Sequence, residues 1–118
     1  MLFRSTPDDS LKHVVIEMSS HPLGAACVVA PDRRLLGLIT DGDVRRALRN
    51  HDDIRTLRAA DVMTAGPVTV DPQALVHTAL ALMEDRPSQI YVLPAVEPAT
   101  GVCAGLIRLH DIYHSSSQ

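Results

Sequence analysis

The sequence contains one pattern twice, and this internal repeat restricts the possible folds more than any other feature of the chain. In each half, four apolar residues lie at i, i+3, i+4 and i+7, the spacing of a helix face that packs on a core. The two sets are 65 positions apart: Leu11, Val14, Val15 and Met18, then Val76, Ala79, Leu80 and Met83. The segments Thr6-Pro7-Asp8-Asp9 and Asp71-Pro72 precede them. Each segment predicts a helix cap followed by proline at the first helical position.

Two short apolar runs follow each predicted helix, and their length and β-branched content predict buried strands. The runs cover residues 26–29 and 35–39 in the first half and residues 90–93 and 102–107 in the second. The second run of each half contains the same triplet, Gly-Leu-Ile. Each half therefore reads helix, strand, strand, helix. Such a unit is too small to close a core alone, so the two halves must pack together.

We therefore predict an α+β fold built from two β-α-β-β-α repeats related by a pseudo-twofold axis. Residues 1–58 form the first repeat with the start of the linker, and residues 59–118 form the second. A short helix is predicted at 59–63 and a short strand at 68–70, and Leu2-Phe3 is a candidate leading strand. Ligand clefts are expected between the repeats, where strand ends meet helix N-termini.

Length and composition exclude several functions. The chain has 118 residues, 46% of them hydrophobic and 3% aromatic, and a formal net charge of −3. Few rings and mild acidity argue against nucleic acid as a partner, because base stacking and phosphate neutralisation need aromatic and basic residues. Apolar runs fall short of the roughly 18 residues that span a membrane, and the first residues lack a secretory core, so a cytoplasmic location is expected. Cys27 and Cys103 are expected to be free, buried thiols.

The most distinctive segment is Thr40-Asp41-Gly42-Asp43, between a predicted strand and an amphipathic helix. Unpaired N–H groups at a helix start, with a hydroxyl and a glycine beside them, suit a phosphate. An aspartate just inside the helix can accept hydrogen bonds from the two vicinal hydroxyls of a ribose. The same residues also suit a plain helix cap, made by Thr40 and Asp41. Because capping is so common, the residues alone favour the cap.

The second half has a related but altered segment at the corresponding place. Asp111 occupies the position of Asp43, whereas Arg108 replaces Thr40. The guanidinium group of Arg108 can contact a phosphate through paired hydrogen bonds. Two sites built from these segments cannot be equivalent.

Two weaker features do not lead to a predicted site. His110 and His114 lie at i, i+4, as in a metal-binding helix face, but no third ligand has supporting spacing, so no metal is predicted. Arg45, Arg46 and Arg49 can reach phosphates of a ligand or a partner, or form a solvated helix face. The solvated face is the favoured interpretation.

Residues 37–48, Gly-Leu-Ile-Thr-Asp-Gly-Asp-Val-Arg-Arg-Ala-Leu, resemble the signature of a cystathionine-β-synthase (CBS) domain. Residues 60–64 resemble the start of a second CBS motif, and residues 88–94 resemble its central strand. The resemblance covers nearly the whole chain and occurs twice, which indicates a tandem CBS pair. More narrowly, residues 40–48 and 106–112 are similar to the C-terminal CBS pair of the arabinose-5-phosphate isomerases that supply the Kdo sugar of lipopolysaccharide and capsules.

The resemblance implies a regulatory module of a family that commonly binds adenine nucleotides. The family signature Gly-x-x-Thr/Ser-x-x-Asp maps onto Gly37, Thr40 and Asp43. In that role the Thr40 hydroxyl contacts the phosphate of the nucleotide and Asp43 contacts its ribose. The resemblance makes ligand binding at Thr40 and Asp43 the favoured interpretation over the plain cap.

In the second repeat, only Gly105 and Asp111 match the family signature. Arg108 stands where the family has a hydroxyl, which removes phosphate binding there or transfers it to the arginine. The predicted ligand-binding residues are Gly37, Thr40, Asp41, Gly42, Asp43, Gly105, Arg108 and Asp111.

We expect a ligand-sensing module that is not itself an enzyme and carries no cofactor or metal. The expected effector is an adenine nucleotide (AMP, ADP or ATP) or a nucleotide sugar such as CMP-Kdo. Its binding is expected to regulate a sugar-isomerase domain linked in cis. Association into a homodimer through the CBS repeats is expected from the family. The altered second motif motivates a second hypothesis, a structural module that only drives oligomerisation. The third hypothesis is a sugar-phosphate isomerase in its own right, for which the sequence shows no catalytic constellation.

Overall fold

The computed structural model describes residues 4–20, 25–74, 76–84 and 91–109. The helices and strands are, in chain order, β1 (Arg4–Ser5), α1 (Leu11–Ser20), β2 (Ala25–Val29), β3 (Leu35–Thr40), α2 (Asp41–Asn50), α3 (Ala59–Val62), β4 (Thr64–Ala65), α4 (Val76–Glu84), β5 (Val92–Val96) and β6 (Cys103–Arg108). The mixture of helices and strands confirms the predicted α+β class. No helix in the described ranges is long and apolar enough to cross a membrane.

The first repeat supplies three strands of a four-stranded sheet in the order β1-β2-β3-β4, and the fourth strand, β4, comes from the chain that follows α3. β1 runs parallel to β2, whereas β2 and β3 form an antiparallel hairpin and β4 adds to β3 in antiparallel orientation. Every residue of β2 is buried, as expected for a central strand of short apolar residues. α1 covers this sheet with Leu11, Val14 and Met18, the apolar face that the sequence predicts.

The second repeat contains the antiparallel pair β5-β6 and repeats the geometry of the first hairpin. Both hairpins carry an irregular register at the same place, between Val28 and Val29 and between Ala95 and Val96. Val70 forms an isolated parallel bridge to Ala95 at the edge of β5. This bridge corresponds to the pairing of β1 with β2. The pseudo-twofold relation therefore includes the residues that precede α1 and α4 as well as the two hairpins.

The start of α1 differs from the sequence prediction, which put Pro7 at the first helical position. The Asp9 carboxylate accepts the backbone N–H and the hydroxyl of Thr6, each at 3.0 Å, and folds residues 6–9 into a turn. Ser10 follows, and its Oγ accepts a backbone N–H of the first helical turn at 3.1 Å. The prediction was wrong because the Asp9 carboxylate accepts hydrogen bonds from Thr6, which precedes it, and holds residues 6–9 in a turn. Ser10 is therefore the residue that caps α1.

The approach to the second repeat departs from the prediction in a similar way. Asp71 Oδ1 accepts the backbone N–H of Gln73 at 2.9 Å, so Pro72 also lies in a turn rather than in the first turn of α4. The strand predicted at 68–70 is reduced to the single bridge at Val70. A short strand instead forms earlier, at β4, and the helix predicted at 59–63 is present as α3.

Apolar side chains of both repeats meet in one shared part of the core. This cluster joins Ala25, Cys27, Val29 and Leu38 of the first repeat to Cys103 of the second. Both cysteines are buried and free, in agreement with the sequence prediction. Hydrogen bonding to the Cys103 thiol and burial raise the pKa of Cys27 above its usual value, so this thiol stays protonated.

Backbone hydrogen bonds also join the tips of the two hairpins. The Leu35 N–H donates to the Gly101 carbonyl at 3.0 Å, and the Cys103 N–H donates to the Arg33 carbonyl at 3.0 Å. The two bonds are reciprocal, since Leu35 and Cys103 are 68 positions apart and so are Arg33 and Gly101. The repeats are therefore connected by main chain as well as by the shared core.

Candidate functional site

The predicted site centres on Asp43, in the first turn of α2. Of the charged side chains that the structure describes, Asp43 is the one that is buried, with 4% of its surface exposed. A buried carboxylate loses its hydration, so the fold must supply hydrogen bonds or an opposite charge in place of water. The partners of Asp43 therefore define the chemistry of this site.

Four donors surround the Asp43 carboxylate. Oδ2 accepts the backbone N–H of Thr40 at 2.9 Å and the Thr40 hydroxyl at 3.2 Å. Oδ1 accepts Nη1 of Arg46 at 2.9 Å and the hydroxyl of Thr64 at 3.1 Å. A carboxylate offers about four acceptor positions, two on each oxygen. The chain itself thus fills the hydrogen-bonding capacity of Asp43.

Thr40 and Asp43 also form the cap of α2. Thr40 has an extended backbone, with φ −109° and ψ 171°, and its Oγ1 accepts the Asp43 backbone N–H at 3.4 Å. The return bond from the Thr40 N–H to the Asp43 carboxylate completes a capping box. The predicted cap at Thr40 is therefore present, but its partner is Asp43 and not Asp41, because the capping box joins the cap residue to the third helical position. Ligand binding by the same two residues stays a prediction.

Asp41 and Gly42 complete the first turn of α2. Asp41 is exposed and Gly42 is half-buried. Nη2 of Arg45 lies 3.9 Å from the position that a Cβ on Gly42 would take, so one guanidinium group is close to the helix start. Arg45, Arg46 and Arg49 are all exposed, in agreement with the solvated face that the sequence favours. Arg46 is in addition the ion-pair partner of the buried carboxylate.

Gly37 lies on β3 at the place where β4 crosses it. β4 belongs to the linker, the segment between α2 and α4, which includes the start of the second repeat. A Cβ on Gly37 would come within 2.5 Å of Met63 Sδ and 3.0 Å of the Thr64 carbonyl oxygen, so only glycine permits this approach. The close contact brings the Thr64 hydroxyl to the Asp43 carboxylate. Thr64 is absent from the sequence-predicted site, although it belongs to the motif at residues 60–64. The contact that makes it relevant spans 21 residues and has no local sequence signal.

The second predicted group of residues lies on β6 and beyond it. Gly105 is paired with Ala95, and Arg108 is paired with Val92 at the end of the strand. No described atom lies within 4 Å of the position that a Cβ on Gly105 would take, in contrast to Gly37. Asp111, like the two histidines of the weak metal pattern, lies outside the described residues. Within the ranges that are described, no three His, Cys, Asp or Glu residues form a group that could hold a metal ion.

Comparison with known families identifies this arrangement. A profile of the CBS domain matches the chain twice, at residues 6–50 and 59–117. The chain belongs to the CBS-domain family. The resemblance noted in the sequence is thereby confirmed for both repeats, and the site described above lies at the start of the final helix of the first CBS repeat.

Curated relatives of this CBS pair include arabinose 5-phosphate isomerase KdsD. The chain is 33% identical over 107 residues to KdsD of Yersinia pestis, and the match covers 91% of this chain but 31% of that protein. KdsD of Pseudomonas aeruginosa is 36% identical over 103 residues, with 31% of its length covered. The CBS pair thus spans about a third of the length of the curated relatives that it matches.

Solved structures share the fold of this CBS pair. The crystal structure of the CBS domain NE2398 superposes with a TM-score of 0.85 and 24% identity, covering 100% of this chain and 89% of that one. CBS domain protein PAE2072 from Pyrobaculum aerophilum, in a structure complexed with AMP, gives a TM-score of 0.81 and 21% identity, covering 93% of this chain and 82% of that one. These similarities establish the tandem CBS fold.

Proposed function

We propose that this CBS pair is a regulatory module that binds an adenine nucleotide and thereby controls a sugar-phosphate isomerase domain linked to it. The observation that carries the proposal is the buried Asp43 carboxylate at the N-terminus of α2, next to the Thr40 hydroxyl. Asp43 is the acceptor for ribose hydroxyls, and Thr40 and the first-turn N–H groups receive a phosphate.

Charge near the start of α2 supports a phosphate at this position. The guanidinium groups of Arg45 and Arg46 both lie within reach of the first helical turn. They offset the negative charge of Asp41 and Asp43, which alone would repel an anion. The related PAE2072 protein in complex with AMP makes this nucleotide the first ligand to test. A nucleotide sugar such as CMP-Kdo is the second, because the relatives include arabinose 5-phosphate isomerases.

The second repeat would bind differently. Gly105, Arg108 and Asp111 are its proposed ligand residues, with the Arg108 guanidinium in place of the Thr40 hydroxyl as the phosphate contact. The boundary between the repeats, with residues 1–58 in the first and 59–118 in the second, is part of the same proposal.

The proposed module does not catalyse a reaction, and it acts as a homodimer in the cytoplasm. Ile16, Leu48 and Val76, on three different helices, each expose more than half of their surface, which supports association through the helix faces. Free thiols at Cys27 and Cys103 suit a reducing compartment. We expect the chain alone to show no turnover of arabinose 5-phosphate to ribulose 5-phosphate.

Thermal unfolding with a ligand panel of AMP, ADP, ATP and CMP-Kdo tests the proposal. A ligand present at 100 times its Kd stabilises the fold by about 2.7 kcal/mol, which gives a clear rise in Tm. Asp43→Asn should abolish the rise. Asp61→Asn is the matched control, because Asp61 accepts the Arg58 backbone N–H at 2.9 Å at the start of α3, in the same capping role. An unchanged Tm of the wild-type chain across the panel would contradict ligand sensing.

A purely structural role is the second candidate, and the saturated hydrogen bonding of Asp43 favours it. A carboxylate whose four positions are filled by the chain can serve as a helix cap and nothing more. This function predicts that no member of the panel binds. It also predicts that deleting the CBS pair from an isomerase that carries it changes the oligomeric state of that enzyme in sedimentation analysis.

A further inference from the structure

The linker between the repeats contacts the ligand site through one side chain. The Thr64 hydroxyl donates to Asp43 Oδ1 at 3.1 Å, and Arg46 donates to the same oxygen at 2.9 Å. Thr64 belongs to β4, which lies in the connection between the first and second repeats. Asp43 is therefore the point at which the proposed ligand and the linker meet.

The filled acceptor positions of Asp43 set a condition on ligand binding. A ribose hydroxyl can donate to this carboxylate only if one of the four present donors leaves. The Thr40 N–H holds Oδ2 and maintains the capping box of α2, and turning the Thr40 hydroxyl to the phosphate frees one position on Oδ2. The two vicinal hydroxyls of a ribose need two positions, so one donor on Oδ1 must leave as well. The donors on Oδ1 are Thr64 and Arg46, and both residues are exposed. Oδ1 is therefore the oxygen at which a ligand would replace a donor.

The two Oδ1 donors differ in what their release requires. Arg46 makes the shorter bond and is the ion-pair partner of Asp43, so its release would leave a buried carboxylate without an opposite charge. The neutral Thr64 hydroxyl, at 3.1 Å, is therefore the donor that a ribose hydroxyl can replace. Thr64 has a short, β-branched side chain with few rotamers, and its hydroxyl position is tied to the backbone of β4. β4 pairs with β3 through Thr64 and Ala65 alone. Loss of the hydroxyl contact therefore weakens the attachment of the linker strand.

We propose that the nucleotide ribose displaces the Thr64 hydroxyl from Asp43, and that this exchange loosens β4 in the linker between the repeats. The inference rests on the proposed function and adds its means of regulation. Thr64 acts as a positioning residue: it holds the linker on the first repeat in the absence of ligand. Ligand binding and linker attachment compete for one carboxylate oxygen, so each weakens the other by the same factor.

Thr64→Val tests the competition, because valine keeps the shape of threonine and removes the hydroxyl. AMP should bind this variant about tenfold more tightly, which corresponds to about 1.4 kcal/mol for one hydrogen bond that no longer has to be broken. Thr64→Ser keeps the hydroxyl and should retain wild-type affinity. Thr69→Val, a like change at another exposed threonine of the linker, is the control and should leave the affinity unchanged. Calorimetric titration with AMP measures all four chains.

Amide hydrogen exchange provides a readout on the linker itself. In wild-type protein, saturating AMP should speed exchange of the β4 amides, and Thr64→Val should speed it without AMP. Equal AMP affinity of wild-type and Thr64→Val protein, with unchanged exchange in β4, would overturn the displacement while leaving nucleotide binding in place. Absence of AMP binding to both chains would overturn the proposed AMP function together with it. Binding to Thr64→Val alone would support the competition.

Discussion

The two CBS repeats carry the same Gly-Leu-Ile triplet in the second strand of each hairpin, but the two glycines have different surroundings. A Cβ on Gly37 would collide with Met63 and with the Thr64 carbonyl, whereas no described atom lies within 4 Å of a Cβ on Gly105. The first glycine is required because the linker crosses the sheet there. Within the described part of the chain, the same triplet therefore has different neighbours in the two repeats.

The difference arises in the linker and not in the hairpins. Both hairpins have the same irregular register, and their tips are joined by reciprocal backbone bonds. The first repeat gains β4 from the connection that follows it, and with β4 it gains the Thr64 contact to Asp43. Among the described residues, the pairing of β4 and the Thr64 contact are thus features of the Asp43 site that come from the linker.

The largest expected effect separates the two glycines. Gly37→Val should destabilise the fold by about 3 kcal/mol, because the added side chain must push Met63 and β4 away from β3. Gly105→Val is the matched variant and should change the free energy of unfolding by less than about 0.5 kcal/mol. Urea unfolding of both variants measures the difference. Similar losses for the two would show that the glycines have equivalent roles after all.

A smaller effect is expected where the chain enters the first helices of the two repeats. Asp9 has no counterpart in the second repeat, where Ala74 stands 65 positions later. Asp9→Ala should therefore make the first repeat resemble the second and lower the free energy of unfolding by about 1 kcal/mol at neutral pH. Asp8→Ala, at an exposed neighbour, is the control and should have little effect.

The same pair of variants has a defined pH dependence. Partial burial raises the pKa of Asp9, but hydrogen bonds from Thr6 and Ser5 outweigh it and leave the pKa below its usual value. A lowered pKa means that the ionised carboxylate stabilises the fold above the pKa of the unfolded chain. That stability is lost as the pH falls through the folded pKa of Asp9. The difference between wild-type and Asp9→Ala protein should accordingly shrink in acid, and a constant difference would contradict this origin.

The smallest expected effect concerns the hairpin tips. Arg33 has a φ of 71°, in the left-handed region, and its counterpart 68 positions later is Gly101, with a φ of 76°. Glycine adopts this conformation without the steric cost that a side chain brings. Arg33→Gly should therefore stabilise the fold by about 0.5 kcal/mol, and Gly101→Arg should destabilise it by a similar amount. Changes of the same sign in both variants would break the equivalence of the two turns.

The parts of the fold that the sequence predicts are those with a local pattern. The apolar face of α1 and the runs that form β2, β3 and β6 have regular spacing or continuous apolar residues. In α4 the predicted face is buried at Ala79 and Met83, whereas Val76, at the first position of the helix, is exposed. The cap of α2 by Thr40 is also local, since its partner lies three residues away. Such features depend on neighbours along the chain and can be recognised without knowing the tertiary structure.

The features that the sequence does not predict depend on contacts between distant residues or on competing local bonds. β4 has two exposed residues and no periodicity, and it forms because Gly37 lets the linker approach. The Thr64 contact to Asp43 joins residues 21 positions apart, so no local pattern indicates it. Proline is common in the first turn of a helix, but the hydrogen bonds from Thr6 to Asp9 hold Pro7 in a turn that precedes α1. The approach of the linker to β3 therefore determines β4, and the hydrogen bonds of the turn determine where α1 begins.

The reciprocal bonds between the hairpin tips have a consequence for how the two repeats can change in sequence. The hydrogen bonds of this joint come from the N–H groups of residues 35 and 103 and the carbonyl groups of residues 33 and 101, and no side chain takes part in them. Proline would remove a donor at position 35 or 103, and at position 33 or 101 it could not adopt the positive φ of the turn. The repeats can therefore accumulate different side chains elsewhere, such as Thr40 in one and Arg108 in the other, without losing their mutual alignment.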